Sequence, residues 1–174
     1  VLRGCQLFRS IFREIAESYP QIGAKEAYID AFTMWLVRDP EDLDVVVLPN
    51  MFGDIATDLA SVLHGGMGMA ASANLGDKHM MFEPVHGSSP KHAGKNRVNP
   101  IAMLSSLQLM LENLSLRHDD PLLDKYGNIL QQAISQHLSS DGPKTYDIGG
   151  TGTTSEVGDA IADRVRRLLR NDKA

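Results

Sequence analysis

The run Asp44-Val45-Val46-Val47-Leu48 constrains the fold of this chain more than any other feature. Successive β-branched residues without an alternating polar face read as a strand buried on both sides, the pattern of a parallel sheet covered by helices. Pro49-Asn50 stops the run, and residues 53–63 then follow a helical pattern. Strand, tight turn and helix in this order predict an α/β architecture. Upstream, Leu7, Phe8, Ile11, Phe12 and Ile15 recur at three- and four-residue spacing, which predicts an amphipathic helix ending before Tyr19-Pro20. Residues 27–29 read as a short strand leading to Asp30, and residues 31–37 as a helix closed by Arg38-Asp39-Pro40. Between residues 65 and 99 Gly, Ser, Pro and His dominate, with one short apolar stretch at 80–82, so binding loops are expected there. A helix starts at Pro100 with Ile101, Leu104, Leu107, Leu111 and Leu114 on one stripe. Two more helices are predicted over 122–138 and 155–169.

Composition sets outer limits. The 174 residues are 43% hydrophobic and 22% charged, in the range of ordinary globular sequences and enough for one domain or two at most. With 17 Lys and Arg against 22 Asp and Glu, the net charge of −5 argues against nucleic acid or an anionic membrane as partner. The cluster Arg164, Arg166, Arg167 and Arg170 reads as the polar side and last turns of a helix. The stretch 59–76 lacks charged residues but is broken by Gly65, Gly66 and Gly68, so no membrane span is expected. A single cysteine, Cys5, forms neither an internal disulfide nor a zinc cluster and fits a reducing compartment, the cytoplasm or an organelle matrix. Its apolar helical setting predicts a buried, inert thiol.

Few constellations carry chemistry. Asp54 and Asp58 lie four apart in a predicted helix, on one face and about 6 Å apart along its axis. Two carboxylates so placed repel unless a cation lies between them, and hard oxygen ligands favour Mg²⁺ or Mn²⁺ over zinc. On spacing alone, acids favoured by the macrodipole at a helix start are the better explanation of the pair. The segment Gly66-Met67-Gly68-Met69-Ala70-Ala71 matches a dinucleotide fingerprint in letters but follows a helix instead of a strand, so it fails on context. The stretch from Gly87 to Lys95 is not a phosphate loop of the Walker type, and no nucleophile elbow exists. There remain His86-Gly87-Ser88-Ser89-Pro90-Lys91-His92 and the helix start Asn99-Pro100. Small residues let backbone N–H groups approach an anion, and Lys91 and His92 add charge, so a phosphate-bearing ligand fits. A surface turn followed by a helix capped at Asn99 is the alternative.

The combined text adds a resemblance. Tyr28-Ile29-Asp30-Ala31, Leu36-Val37-Arg38-Asp39-Pro40, Asp44-Val45-Val46-Val47 and Asn50-Met51-Phe52-Gly53-Asp54-Ile55-Ala56-Thr57-Asp58-Leu59-Ala60 closely resemble the metal-site region of the β-decarboxylating dehydrogenases. That family includes isopropylmalate, isocitrate, homoisocitrate, tartrate and D-malate dehydrogenases. The likeness continues through Gly65-Gly66-Met67-Gly68, Ser72-Ala73-Asn74, Phe82-Glu83-Pro84-Val85-His86-Gly87-Ser88, Ala93-Gly94-Lys95, Val98-Asn99-Pro100 and Asp147-Ile148-Gly149-Gly150.

The resemblance implies a two-domain α/β fold of the isocitrate/isopropylmalate dehydrogenase type, incomplete here. Residues 1–65 would be part of the dimerisation and substrate-side domain, and residues 66–174 part of the cofactor-side domain. It implies metal-dependent oxidative decarboxylation of a 2-hydroxy acid by a homodimer. Asp30, Asp54 and Asp58 match the divalent-metal ligands and would be catalytic through the metal, with Asp30 supplied across the dimer interface. His86, Gly87, Ser88, Ser89, Lys91 and His92 match the nicotinamide-cofactor loop, Asn99 lies beside the adenine, and Tyr146 matches a tyrosine near the ribose phosphate. Lys91 stands where NAD-using members commonly carry Asp, and Lys91 with Tyr146 resembles NADP-using isocitrate dehydrogenases, although His92 replaces their tyrosine. Gly150 falls where those enzymes carry a phosphate-binding arginine, and residues 147–150 resemble NAD-using members. The balance favours NADP over NAD. The family's catalytic Lys and Tyr and its substrate-clamping arginines match no residue of the chain, so the chain resembles a C-terminal half, expected to be inactive alone and to expose apolar edges. A non-catalytic regulatory or nucleotide-binding subunit of the same family is the alternative.

Overall fold

Residues 2–172 are described in a computed structural model. Val1, Lys173 and Ala174, which fall within the expected domain ranges, lie outside the described residues. Two compact units divide between Ala60 and Ser61, five residues before the glycines at which the sequence suggests a boundary.

The first unit is built from three helices. Helix α1 (Arg3–Ala16) takes the predicted place, but none of its residues is buried. Leu7 is 61% and Ile15 55% exposed, so the apolar stripe finds no cover within the unit. Cys5 is accordingly half-buried, a correction to the expected buried thiol. Helix α2 (Ile29–Arg38) places Ile29, Phe32 and Leu36 on one stripe, and these pack with Leu43, Leu48, Ala56 and Leu59 in a small core. Ile29 thus belongs to a helix, and residues 27–28 pair with no strand, which corrects the strand expected at 27–29. Helix α3 (Asn50–Ser61) contributes Ala56 to the same core.

The β-branched run 44–48 is likewise not a strand. It is an unpaired segment between a 3-10 turn (Pro40–Asp42) and α3, with Leu48 in the core and Val45 90% exposed. A strand needs a neighbour to complete its ladder of N–H and C=O groups, and no neighbouring strand is present among the described residues of this unit.

The second unit is organised around α4 (Ile101–His118). It packs against α5 (Pro121–Leu138) and the two-stranded sheet, and α5 packs in turn on α6 (Thr154–Asn171). Ile101, Leu130, Ala133, Ile134, Val157 and Ile161 form the core. Each of the larger side chains contributes roughly 1.5–3 kcal/mol by leaving water. The three helices agree with the expected spans because each carries local stop and start signals. Asp120 caps α5 by accepting from Leu122 N, with Pro121 at the first position, and Thr153 and Glu156 form a reciprocal capping box at α6.

Strand β1 (Ala71–Leu75) is antiparallel to β2 (Met80–Pro84), with Ala71 opposite Pro84 and Leu75 opposite Met80. The expected parallel sheet is absent among the described residues, and β1 lies where loop was expected. Ala, Ser and Asn are poor strand formers, and pairing with β2 supplies what propensity does not. Arg117 at the end of α4 donates to Gly76 O at 2.7 Å and so holds the hairpin turn. No described helix is long and apolar enough to cross a membrane.

His137 on α5 is fully buried and lies against the chain that leads to residue 146. Its Nε2 donates to Pro143 O at 2.8 Å, while Nδ1 has no partner. Burial holds its pKa below the usual imidazole value, and the neighbouring Arg164 and Lys144 act in the same direction against the Pro143 bond. The folded state therefore keeps His137 neutral where the unfolded chain takes up a proton. Its contribution to stability is complete above the unfolded value of 6.5 and is lost as pH falls through the folded value. Urea unfolding between pH 5 and 8 should show this acid-side loss, and His137→Gln, which keeps a donor toward Pro143 but cannot titrate, should flatten it. Identical slopes for the two proteins would remove His137 as the source.

Candidate functional site

In the first unit the candidate residues are the three acids. Ala56 points α3 into the core, while Asp54 and Asp58 lie exposed, one turn apart on the helix. Asn50, one turn earlier, donates from Nδ2 to Asp54 Oδ2 at 3.0 Å and so orients that carboxylate. Asp30 is exposed in the first turn of α2, where its charge complements the helix dipole and its Oδ1 accepts from Ala31 N at 2.8 Å. Among the described residues no three His, Cys, Asp or Glu side chains come together as a metal centre. The fold therefore presents the Asp54 and Asp58 pair without bringing Asp30 of the same chain to it.

In the second unit the loop 86–92 leaves the end of β2. His86 Nδ1 donates to Gly87 O at 2.9 Å. Gly87, Ser88 and Lys91 are exposed, and a Cβ at Gly87 would meet nothing within 4 Å, so that side of the backbone is open to a ligand. Ser89 takes the left-handed conformation at φ +47° and turns the chain into a 3-10 helix (Pro90–His92). Its hydroxyl bonds His92 Nδ1 at 2.8 Å, which offsets part of the strain and fixes the imidazole plane. The ring stacks on Tyr146, with centroids 5.9 Å apart, and the Tyr146 hydroxyl lies 3.4 Å from His92 Nε2. His92 and Tyr146 thus belong to one place although 54 residues separate the two rings, and Lys91 is the residue next to His92 in sequence.

Asn99 is 6% exposed, and both ends of its amide are engaged. Oδ1 accepts from Ile101 N at 3.0 Å, capping α4, and Nδ2 donates to Asp147 Oδ2 at 3.0 Å. The capping alternative therefore describes its side chain. Gly68 makes the Asp147 bond possible, because a Cβ there would fall 2.5 Å from Asp147 Oδ2 and 3.0 Å from Asn99 Cβ. Gly66-x-Gly68 thus has a structural reason unrelated to a dinucleotide fingerprint. Sequence reasoning gave no site role to two residues. Asp147 holds Asn99, and Arg97 lies with its guanidinium carbon 4.1 Å from the Tyr146 ring centroid. The bare signal for both was their place directly beside residues already singled out.

The sequence profile described as isocitrate/isopropylmalate dehydrogenase matches residues 1–161. A 3-isopropylmalate/3-methylmalate dehydrogenase of Methanocaldococcus jannaschii is 43% identical over 160 residues, which cover 92% of this chain and 46% of that protein. A homoisocitrate dehydrogenase of the same organism is 39% identical, covering 94% and 45%. The crystal structure of isocitrate dehydrogenase from Methylococcus capsulatus superposes with a TM-score of 0.85 at 37% identity, over 92% of this chain and 46% of that one. A β-decarboxylating dehydrogenase of Thermococcus kodakarensis gives 0.81 at 38% identity, over 99% and 49%. The chain spans about half the length of these relatives.

The two glycines make a paired test. Gly68→Ala should push Asp147 off Asn99 and cost about 1–3 kcal/mol, the range for a broken hydrogen bond to a charged group. Gly87→Ala should change stability by no more than about 0.5 kcal/mol, since the added methyl meets open space. Chemical denaturation of both variants checks this, and equal effects would refute the role given to Gly68.

Proposed function

We propose, from the premise that this chain belongs to the isocitrate/isopropylmalate dehydrogenase family and carries part of its α/β fold, that it is the portion of an oxidative decarboxylase holding the metal acids and the adenosine-binding loop. Its relatives are dehydrogenases. The substrate class proposed for the whole protein is a 2-hydroxy acid, and the compartment is the cytoplasm or an organelle matrix, in keeping with the lone cysteine.

The observation that carries the reading is the pair Asp54 and Asp58, stationed one turn apart on the solvent side of α3 within a chain of this family. Carboxylate oxygens are the donors Mg²⁺ and Mn²⁺ prefer, so the pair fits a hard divalent ion. Two ligands from α3 leave a shell to be completed, and Asp30 of the partner subunit is the proposed third, making the working form a homodimer. When bound, the ion supplies Lewis-acid polarisation to the oxygens of the 2-hydroxy acid, and the nicotinamide coenzyme accepts the hydride.

This chain's residues bind and orient. Asn50 holds the Asp54 carboxylate in place. The open backbone at Gly87, with the Ser88 and Ser89 hydroxyls, suits the approach of a nucleotide, and Lys91, His92 and Tyr146 lie beyond it. Asn99 orders the floor beneath the adenine through α4 and Asp147. The cationic character at Lys91 and His92 supports NADP over NAD. Proton transfer is assigned to a Lys and a Tyr elsewhere in the protein, so these 174 residues are expected to be inactive alone.

Three experiments test the reading. Titration with Mn²⁺, followed by the magnetic resonance of the free ion, should give binding that Asp54→Asn or Asp58→Asn weakens at least about tenfold, with nucleotide binding unchanged. Metal-dependent turnover of isopropylmalate, isocitrate, homoisocitrate, tartrate or D-malate by these 174 residues would overturn the placement of the acid–base groups elsewhere. Separately, NADP⁺ should bind more tightly than NAD⁺ in calorimetry, and a tenfold preference for NAD⁺ would reverse the coenzyme assignment.

A further inference from the structure

Three segments far apart in sequence meet at Tyr146. The 3-10 turn Pro90–His92 brings the His92 ring, the stretch 94–99 brings Arg97, and the 3-10 turn Tyr146–Ile148 brings the tyrosine itself, 45% exposed. We infer that Arg97, stacked on the Tyr146 ring, is the specificity-determining residue that grips a phosphate monoester on the ribose of the bound adenosine, together with His92 and Lys91. This rests on the nucleotide reading of loop 86–92 given above.

Charge is the first reason. The chain is acidic overall, yet among the described residues neither Lys91, His92 nor Arg97 makes a salt bridge. The carboxylate next in sequence to the tyrosine, that of Asp147, gives its Oδ2 to Asn99. His92 and Arg97 thus both lie against the Tyr146 ring, with Lys91 next in sequence to His92 and no salt bridge to any of them among the described residues, an arrangement that favours an incoming anion.

Geometry is the second. A guanidinium stacked on a ring uses its face for the cation–π contact and leaves its edge N–H groups for a bidentate acceptor. A phosphate monoester offers such an acceptor, and its dianion suits several cations at once. Ser89 holds Nδ1 of His92, which leaves Nε2 beside the Tyr146 hydroxyl for the same group.

Preorganisation is the third. Both neighbours of Arg97 are pinned to the first turn of α6. Asn96, in the left-handed region at φ +49°, accepts Thr154 N on its carbonyl at 3.0 Å and Ser155 N on its side chain at 3.1 Å. Val98 O accepts from the Thr154 hydroxyl at 2.6 Å. Arg97 is therefore presented from fixed backbone, and little ordering remains to be done on binding. No side chain can take its place from the following loop at Gly150, where a Cβ would fall 2.0 Å from Lys144 O.

Calorimetry of the 174-residue chain with 2′,5′-ADP and with 5′-AMP separates the phosphate contribution from that of the nucleoside. The intact protein should prefer 2′,5′-ADP. Arg97→Ala should lose at least about tenfold in affinity for 2′,5′-ADP while 5′-AMP binding stays within about twofold, and Arg97→Lys, which keeps charge without the planar fork, should fall between. An unchanged preference in Arg97→Ala, or equal weakening of both ligands, overturns the role of Arg97 and leaves the nucleotide site standing. An intact protein that binds both ligands equally overturns it together with the NADP assignment. Binding of neither ligand overturns the nucleotide reading itself, and this inference with it.

Discussion

The hydrogen bond from the buried Asn99 amide to the Asp147 carboxylate is the constraint on which the second unit's candidate site depends. Asn99 caps α4 on one side and holds Asp147 on the other, while Gly68 keeps the space between them open. Losing Asp147 would leave the buried Asn99 donor without its carboxylate acceptor, a cost of about 1–3 kcal/mol. The bond's larger effect is positional. Tyr146 precedes Asp147, and Arg97 stands two residues before Asn99, so the same side chain that caps α4 sets the aromatic ring and the guanidinium within reach of each other.

The first unit obeys a different logic. Its small core around Phe32, Leu36 and Ala56 orients α2 and α3, and the acids then fall on exposed helix surface by periodicity alone. Much of its apolar surface is left uncovered, from the stripe on α1 to the run at 44–48.

Local signals were legible to the extent that they are decided within a turn or two of backbone. The starts of α5 and α6 were readable because Asp120-Pro121 and Thr153 with Glu156 satisfy the first N–H groups themselves. The strand expected at 44–48 was not there, because β-branched residues favour an extended chain but cannot supply the neighbour that makes it a strand. Strand β1 failed in the opposite sense, since its Ala and Asn carry little propensity and only pairing with β2 reveals it.

Residue type and spacing alone set the helices of the second unit, the four-residue interval that puts Asp54 and Asp58 on one face, and the small, basic character of the loop at 86–92. All of these depend on residue type and on periodicities of a few residues. Only the tertiary structure decided that Asp30 stands apart from the other two acids of its chain, that Asn99 spends its side chain on Asp147, and that Arg97 stacks on Tyr146. Those meetings join residues about 50 positions apart, and what brings them together is the packing of whole helices and loops, which no local pattern encodes.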